Sequence, residues 1–473
     1  MTEVATPGET VPPAAGVAGR ERTRSPRRTP ADLTYRPDTG LIRSSAAEQP
    51  DWLAADRLVA LDAFDRLPIE SNQLYTPYVD LRAADLADVR AWESPAGEPR
   101  TTDRSALPDG AGVLASFVED GIDAIVLGEE AAAAGVTVEP IAALVAHDPA
   151  TARRVLAAPA VLPADDRLAQ LSRAAWNQGV VVRVPAGVVL ETPVVVRWAV
   201  GAPGRALHAR TIVELGEGAS AAVVEELVPS DAVEAGRQSL FTSTTELHLA
   251  AHARLALASL QELGPDQIAF QQRVARIGDD ADLRWALAQL GGRVVRSRVD
   301  NVLAGDRSRV EQVEIVFGVG DQLHDLTSYT RHVGRDTSGE LMSKGVLLDR
   351  ARSYMKGLIT IEKTAIGTDS FLGEYGMNLS RTARAVAIPS LEIDQPDCRR
   401  AAHSSSVGPI DESQLFYLES RGIPPDEARK FIVLGFLEPV VARVPLDEPR
   451  ERLRAALEAK WAAGFASGVA SAA

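Results

Sequence analysis

The sequence predicts a mainly β protein: a parallel β-helix core, residues 179–408, between an N-terminal helical region, 46–178, and a C-terminal helical domain, 409–473. Three observations predict it. At Gly179 the texture changes to short β-branched runs such as VVVRVPAGVVLETPVVVRW, TIVELGEGASAAVVEEL and SLFTSTTELHLA, divided by Gly, Asp, Asn and Pro. Within them a turn-like mark, a small residue and an apolar run recur, as in GEGAS, AAHARL, GDDADL, AGDRSRV, GRDTSGE, LDRARS, IGTDSF, SRTARA and PDCRRA. The pattern also runs too long for one β-sandwich and contains no linker that would separate two, whereas a stacked solenoid grows to any length.

The flanking elements follow in chain order. Residues 1–45 are rich in Pro, Gly, Ala and Thr without apolar periodicity, which predicts a disordered arm. Its basic cluster, Arg20, Arg22, Arg24, Arg27 and Arg28, reads as a solvated tail. WLAADRLVALDAFDRL, from Trp52 to Leu67, puts Leu53, Leu58, Leu61, Phe64 and Leu67 on one helical face. ALVAHDPATARRVLA and DDRLAQLSRAAWNQG have the same spacing. Beyond Gly408, Asp411 with Gln414 makes a capping-box signature for a helix through Ser420, which Gly422 stops. Pro424 and Pro425 open a second helix, and a third spans about 448–463.

Composition narrows the function. Among 473 residues, 65 Asp and Glu outweigh 50 Lys and Arg, and the net charge of −15 repels polyanions, so nucleic acid is not an expected partner. One cysteine excludes a disulfide framework or a Cys-rich metal site made by this chain alone and suits a reducing compartment. The N-terminus lacks a signal-peptide core and no apolar stretch is long enough to span a bilayer, which predicts a cytoplasmic protein with no membrane partner.

Motifs narrow it further. No G-x-x-x-x-G-K-[ST] phosphate cradle occurs. GEGASA at 216–221 reads as a turn, and HLAAH at 248–252 has Leu249 where a zincin needs its glutamate. His324 and His332 read as structural histidines. Cys398 falls in the small-residue slot that Ala219, Ala253, Ala281, Ser308, Ser338, Ala351, Ser370 and Ala383 fill elsewhere, which reads as a small buried thiol. Its neighbours Arg399 and Arg400 support the alternative of a reactive thiolate. His403, beside Ser404, Ser405 and Ser406, is the better candidate for a ligand or proton carrier.

HSSSVGPIDESQLFYLESRGIPPDEARKFIVLGF resembles the C-terminal signature of the SufB/SufD family of iron-sulfur cluster assembly proteins. AWNQGVVVRVPAGVVLETPVVV, RTIVELGEGAS, SKGVLLDRARSYMKGLI, LSRTARAVAIPSLEI and PDWLAADRLVALDAFDRLPIESNQLYTPYVDL are similar to it as well, so the resemblance covers about residues 50–445. It implies a right-handed parallel β-helix whose SufB and SufD copies pair through their β-helices, with each C-terminal helical domain docking a SufC ATPase. The missing phosphate cradle fits that division of labour. The family histidine, implicated in cluster assembly at the paired interface, matches His403. The family thiol two residues before it is Ala401 here, and Cys398 stands three residues further upstream. FLGEYGMNLS has no cysteine where SufB carries a cluster ligand, and Ser404 replaces the glutamate that follows the histidine. These departures imply a SufD-like, non-ATPase subunit that is not an enzyme in isolation. The resemblance also implies an ATPase-contact surface at Gln414, Phe416, Tyr417, Arg421 and Gly422, with internal helix packing as the alternative for Phe416 and Tyr417. It implies no cofactor held stably by this chain alone. A nascent iron-sulfur cluster or iron at a shared interface, with His403 as a metal ligand and Cys398 nearby, and reduced flavin in the complex complete the expectation. A homodimeric scaffold with SufC is one alternative. A β-helix carbohydrate-active enzyme is another, against which the 5% aromatic content counts.

Overall fold

A computed structural model describes residues 32–93, 98–156 and 163–466, with side chains to residue 462. It is a parallel β-helix, as the repeat predicts, and both of its flat faces are covered. Four short strands come first: β1 (Arg90–Ala91), β2 (Val113–Val118), β3 (Gly121–Leu127) and β4 (Thr137–Pro140). Coils then alternate between two sheets. Sheet A takes β5 (Gln178–Val184), β7 (Arg205–Leu215), β9 (Ser239–Leu249), β11 (Gln267–Ile277), β13 (Val294–Leu303), β15 (Leu323–His332), β17 (Arg352–Ile361) and β19 (Arg384–Ile393). Sheet B takes β6 (Val194–Val200), β8 (Ser220–Pro229), β10 (Arg254–Gln261), β12 (Asp282–Gln289), β14 (Arg309–Gly318), β16 (Ser338–Leu347), β18 (Asp369–Asn378) and β20 (Arg400–Gly408). Neighbours within each sheet are parallel and in register, coil upon coil. The exceptions are the antiparallel pairs β2–β3 and β4–β5, which close the N-terminal end.

The lumen between the sheets is one apolar core, including Val182, Trp198, Val213, Leu247, Leu287, Val299 and Leu372. The outer face of sheet A is buried as well. Leu240, Phe270 and Val294 pack there against Leu61 and Phe64 of α2 (Asp51–Arg66) and Leu171 of α6 (Arg167–Ala175). The outer face of sheet B is buried under Val433 and Leu437 of α8 (Pro425–Val441) and Leu457 of α9 (Asp447–Ala466). Strands buried on both faces need apolar residues at consecutive positions, which explains runs such as VVV and ALAS in place of clean alternation.

The corners leading from sheet A to sheet B are stacked. His252, Asp280, Arg307 and Asp336 each adopt positive φ, between 52° and 60°, with Gly218 and Gly367 at the same level of their coils. One left-handed residue per coil reverses the chain in few residues, which explains the Gly, Asp and Asn punctuation of the repeat.

Two expectations need correction. The segment assigned to a disordered arm ends in order from residue 32 onward: Leu33 and Tyr35 are buried, and Thr39–Ala47 forms helix α1, capped by Asp38 onto the Leu41 N–H. The basic cluster at Arg20–Arg28 lies outside the described residues. The N-terminal region is also not simply helical. Beside α2, α3 (Glu129–Ala133), α4 (Ile141–His147), α5 (Pro149–Leu156) and α6, it contributes β1 to β4 to both sheets. VLASFV and GIDAIVL are apolar runs too short to declare their conformation, and the open edge of β6 decides it by pairing with β2.

An open last coil beside an exposed helix

Among the described residues β19 and β20 end their sheets, and nothing pairs with the outer edge of the last coil over ten and nine residues. Such edges present a row of backbone donors and acceptors to any further strand. On β20, His403, Ser404, Ser405, Ser406 and Val407 are all exposed. Register gives their facing: Leu372, a lumen residue, lies under His403, and Ala401, which shares the parity of His403, packs against the lumen core. His403 therefore belongs to the inward row at the open mouth.

Cys398 is half-buried against the same end of the core, near Leu391 and Ala401. It does not occupy the small-residue slot expected from the sequence. That slot holds Ala219, Ala253, Ala281 and Ser308, all fully buried, followed by Thr337 and Thr368. Asp369 pairs with Arg400, the Arg399 N–H donates to the Thr368 carbonyl, and the Gly367 N–H donates to that of Asp397. Arg399 thus stands over Thr368, and Cys398 over the left-handed Gly367. Ser338 and Ser370 lie on the strands themselves, while Ala351 and Ala383 serve the opposite corner, before β17 and β19. The sequence marks merged two corners into one series. The guanidinium groups beside Cys398 are held by carboxylates, Arg399 by Asp336 and Arg400 by Asp369, 2.6 Å away, and Glu340.

From Gly408 the chain passes within four residues into α7 (Glu412–Ser420). Asp411 caps it through the Ser413 N–H at 2.8 Å rather than through Gln414, so no capping box closes. Gly422 ends the turn at φ 86°. Only Leu415 of α7 is buried. Phe416 and Tyr417 are 72% and 58% exposed, which excludes internal packing, and Phe431 of α8 is 69% exposed. Gln414 and Arg421 are exposed as well, and the Arg421 guanidinium lies 5.3 Å from the centre of the Tyr417 ring. Gln414, Tyr417, Phe431 and Ile432 line a groove of about 700 Å³ whose other wall is Tyr375 and Met377 of β18 and Ser406 of β20. Two large exposed side chains, Tyr417 and Phe431, lining one groove, with Phe416 exposed on the same helix as Tyr417, mark an interaction surface.

The other histidines singled out from the sequence are structural. His324 and His332 are buried on β15. His332 bonds Thr337 at 2.8 Å and Ser370 at 3.0 Å, and burial lowers it to about 4, leaving it neutral. GEGASA is the β7–β8 corner, and His252 of HLAAH is the left-handed corner residue. Among the described residues, no group of three or more His, Cys, Asp or Glu could hold a metal ion, and no helix is long and apolar enough to cross a membrane. Sequence reasoning missed Glu374 of β18. It is a buried, lumen-facing carboxyl one coil below the open edge, pushed up to about 8 by burial. Its signal was a lone acid in the apolar run FLGEYG.

Fold and edge define a class of parallel β-helix proteins whose last coil is open beside an exposed helical surface. The family model described as "SUF system FeS cluster assembly, SufBD core domain" matches residues 198–436, just over half of the chain. The chain belongs to that family. It is 30% identical over 301 residues to the iron-sulfur cluster assembly protein SufD of Bacillus subtilis, covering 63% of this chain and 67% of that one. A SufBD family protein of Mycobacterium tuberculosis is 34% identical over 213 residues, 44% of this chain and 54% of its own length. One from Staphylococcus epidermidis is 25% identical over 422 residues, 85% and 88%.

Proposed function

We propose that this chain is a SufD-like, non-ATPase subunit of an iron-sulfur cluster assembly scaffold. In this reading it pairs through its last coil with a SufB-like chain and docks a SufC-like ATPase on α7 and α8. The observation that carries the reading is the continuity of two surfaces. The exposed edge strand bearing His403 is also a wall of the apolar groove of Tyr417 and Phe431. A partner seated on the groove would touch β20, and a small shift there would be felt at the paired edge. The likeness to SufD of Bacillus subtilis supports the choice of paralogue. His403 is the residue assigned to the assembling cluster. Cys398 and His403 by themselves give too few soft ligands for a cluster held by this chain alone.

The test is co-expression with the SufB-like and SufC-like proteins of the same organism, followed by native mass spectrometry and anaerobic cluster reconstitution. The expected result is a complex containing all three chains, with assembly lost in His403→Ala while the complex stays intact. A chain that captures neither partner sinks the reading. A homodimer with the ATPase alone would replace it with a self-paired scaffold.

A further inference from the structure

The lumen-facing row of sheet B carries three carboxyls at one height, Glu225, Glu314 and Glu374, on β8, β14 and β18. Side-chain donors reach the first two, and only Glu225 has both oxygens engaged. Glu225 accepts from Arg273 at 3.1 Å, Ser259 at 2.6 Å and Thr245 at 2.8 Å. Glu314 accepts from Ser297 at 2.7 Å and Gln289 at 3.1 Å, both on Oε1, and its Oε2 is buried without a partner among the described residues. Glu374 differs. Among the described residues its one hydrogen bond is from the Ile388 N–H to Oε2, at 2.7 Å, so Oε1 has no donor. Room for that oxygen comes from Gly357 on the facing strand β17, where a Cβ would stand 2.9 Å from Oε1. A carboxyl with 1% of its surface exposed and an oxygen without a donor is a costly way to fill a core.

Its position suggests what it serves. Ser405 stacks over Glu374 and His403 over Leu372, so the carboxyl and the imidazole are diagonal neighbours on the inward face of adjacent strands. Strand spacing and rise put such Cα atoms about 8 Å apart, within the combined reach of the two side chains. The coil above Glu374 is the open one. An imidazole and a carboxylate together suit borderline-hard divalent ions such as iron(II), whereas a cluster would ask for thiolates.

We propose that Glu374 and His403 form a half-site for a single iron(II) ion, the cargo, at the floor of the open mouth, with its remaining ligands supplied by water and by the chain that pairs with the edge. The inference rests on the role given to His403 above and adds the second ligand. On binding, the Glu374 O–H gives its proton to solvent through the open edge and a carboxylate oxygen bonds the metal; iron keeps its oxidation state.

The test is anaerobic calorimetric titration of iron(II) into the full-length chain and into its co-purified complex. Wild type is compared with Glu374→Gln, His403→Ala and Glu314→Gln, the last a buried carboxyl of the same row sealed from the mouth. Glu374→Gln and His403→Ala should each weaken binding at least tenfold, with Glu314→Gln unchanged. Manganese(II) bound to wild type should show an imidazole-nitrogen coupling in pulsed electron paramagnetic resonance that His403→Ala removes, a readout independent of how the Glu374 variant folds. Wild-type affinity in Glu374→Gln, equal weakening in Glu314→Gln, or no nitrogen coupling would each overturn the half-site. Partner capture in native mass spectrometry is read separately, so failure of the half-site leaves the scaffold reading standing, and the converse.

Discussion

Lys460 of α9 donates its ammonium to the backbone carbonyl of Phe317 in β14 at 2.6 Å, and to Gln322 Oε1 at 2.9 Å. Lys344 of β16 does the converse, donating to the Phe436 carbonyl of α8 at 3.1 Å. Sheet and helical domain are thus pinned by a lysine from each side, both held below the ordinary lysine range by burial.

Lys460 gives the seat of α9 a pH dependence. Burial lowers it to about 7, against 10.5 for an ordinary lysine. Between those values the unfolded chain carries a proton that the folded chain lacks, so stability rises with pH across the window. Below about pH 7 both states are charged, and the cost of burying the ammonium is present in full. The slope should approach about 1.4 kcal/mol per pH unit. Denaturant unfolding at pH 7.5, 8.5 and 9.5 should give a steeper rise in wild type than in Lys460→Met, the difference being the Lys460 share, since Lys344 remains lowered in both; parallel profiles would refute it.

Glu70 ties the segment after α2 to the outer face of sheet A. It accepts from Arg296 at 2.6 Å and lies 3.8 Å from Lys356, all three being buried. Removing one partner of such a pair leaves a buried charge uncompensated and costs about 3–5 kcal/mol. Glu70→Ala should lower the urea midpoint accordingly. Pairing Glu70→Gln with Arg296→Met should recover most of the loss, because both charges then leave together.

Two glycines separate steric from conformational demand. A Cβ on Gly305 would stand 2.1 Å from the Asp279 backbone nitrogen, where successive corners touch. Gly320 has φ 58° and nothing within 4 Å of its Cβ position. Gly320→Ala should cost about 1–2 kcal/mol, the ordinary penalty of a left-handed alanine. Gly305→Ala should cost clearly more, since backbone must move to admit the methyl. Equal thermal shifts in the two variants would contradict this.

Phe416→Asp with Phe431→Asp should abolish capture of the ATPase partner in a pull-down. The melting temperature should barely move, because exposed positions contribute little to folding, within about 0.5 kcal/mol. Retained capture would move the docking site elsewhere.

Local chemistry was legible in the sequence. The onset of β-branched runs falls within a residue of Gln178, where β5 starts. Pro425 begins α8, and Gly422 stops the turn before it. Each is written in a few adjacent residues, because caps, stops and left-handed corners answer to backbone sterics. α1 and the strands at 113–127 were not legible. Leu33 and Tyr35 find their cover on α2 and on His208, far away in the chain, and β2 needs β6 beside it.

The sequence alone determined that this protein is a β solenoid with helical ends, that it carries no phosphate cradle, and that His403 stands at the seam between solenoid and helices. Tertiary structure decided which residues share a level. It moved Cys398 out of the small-residue slot, exposed Phe416 and Tyr417, and set Glu374 under the open coil one strand from His403. The reason is that in-register stacking depends on the length of every corner between two strands. A single chain read end to end records those lengths, but not which residues they bring face to face.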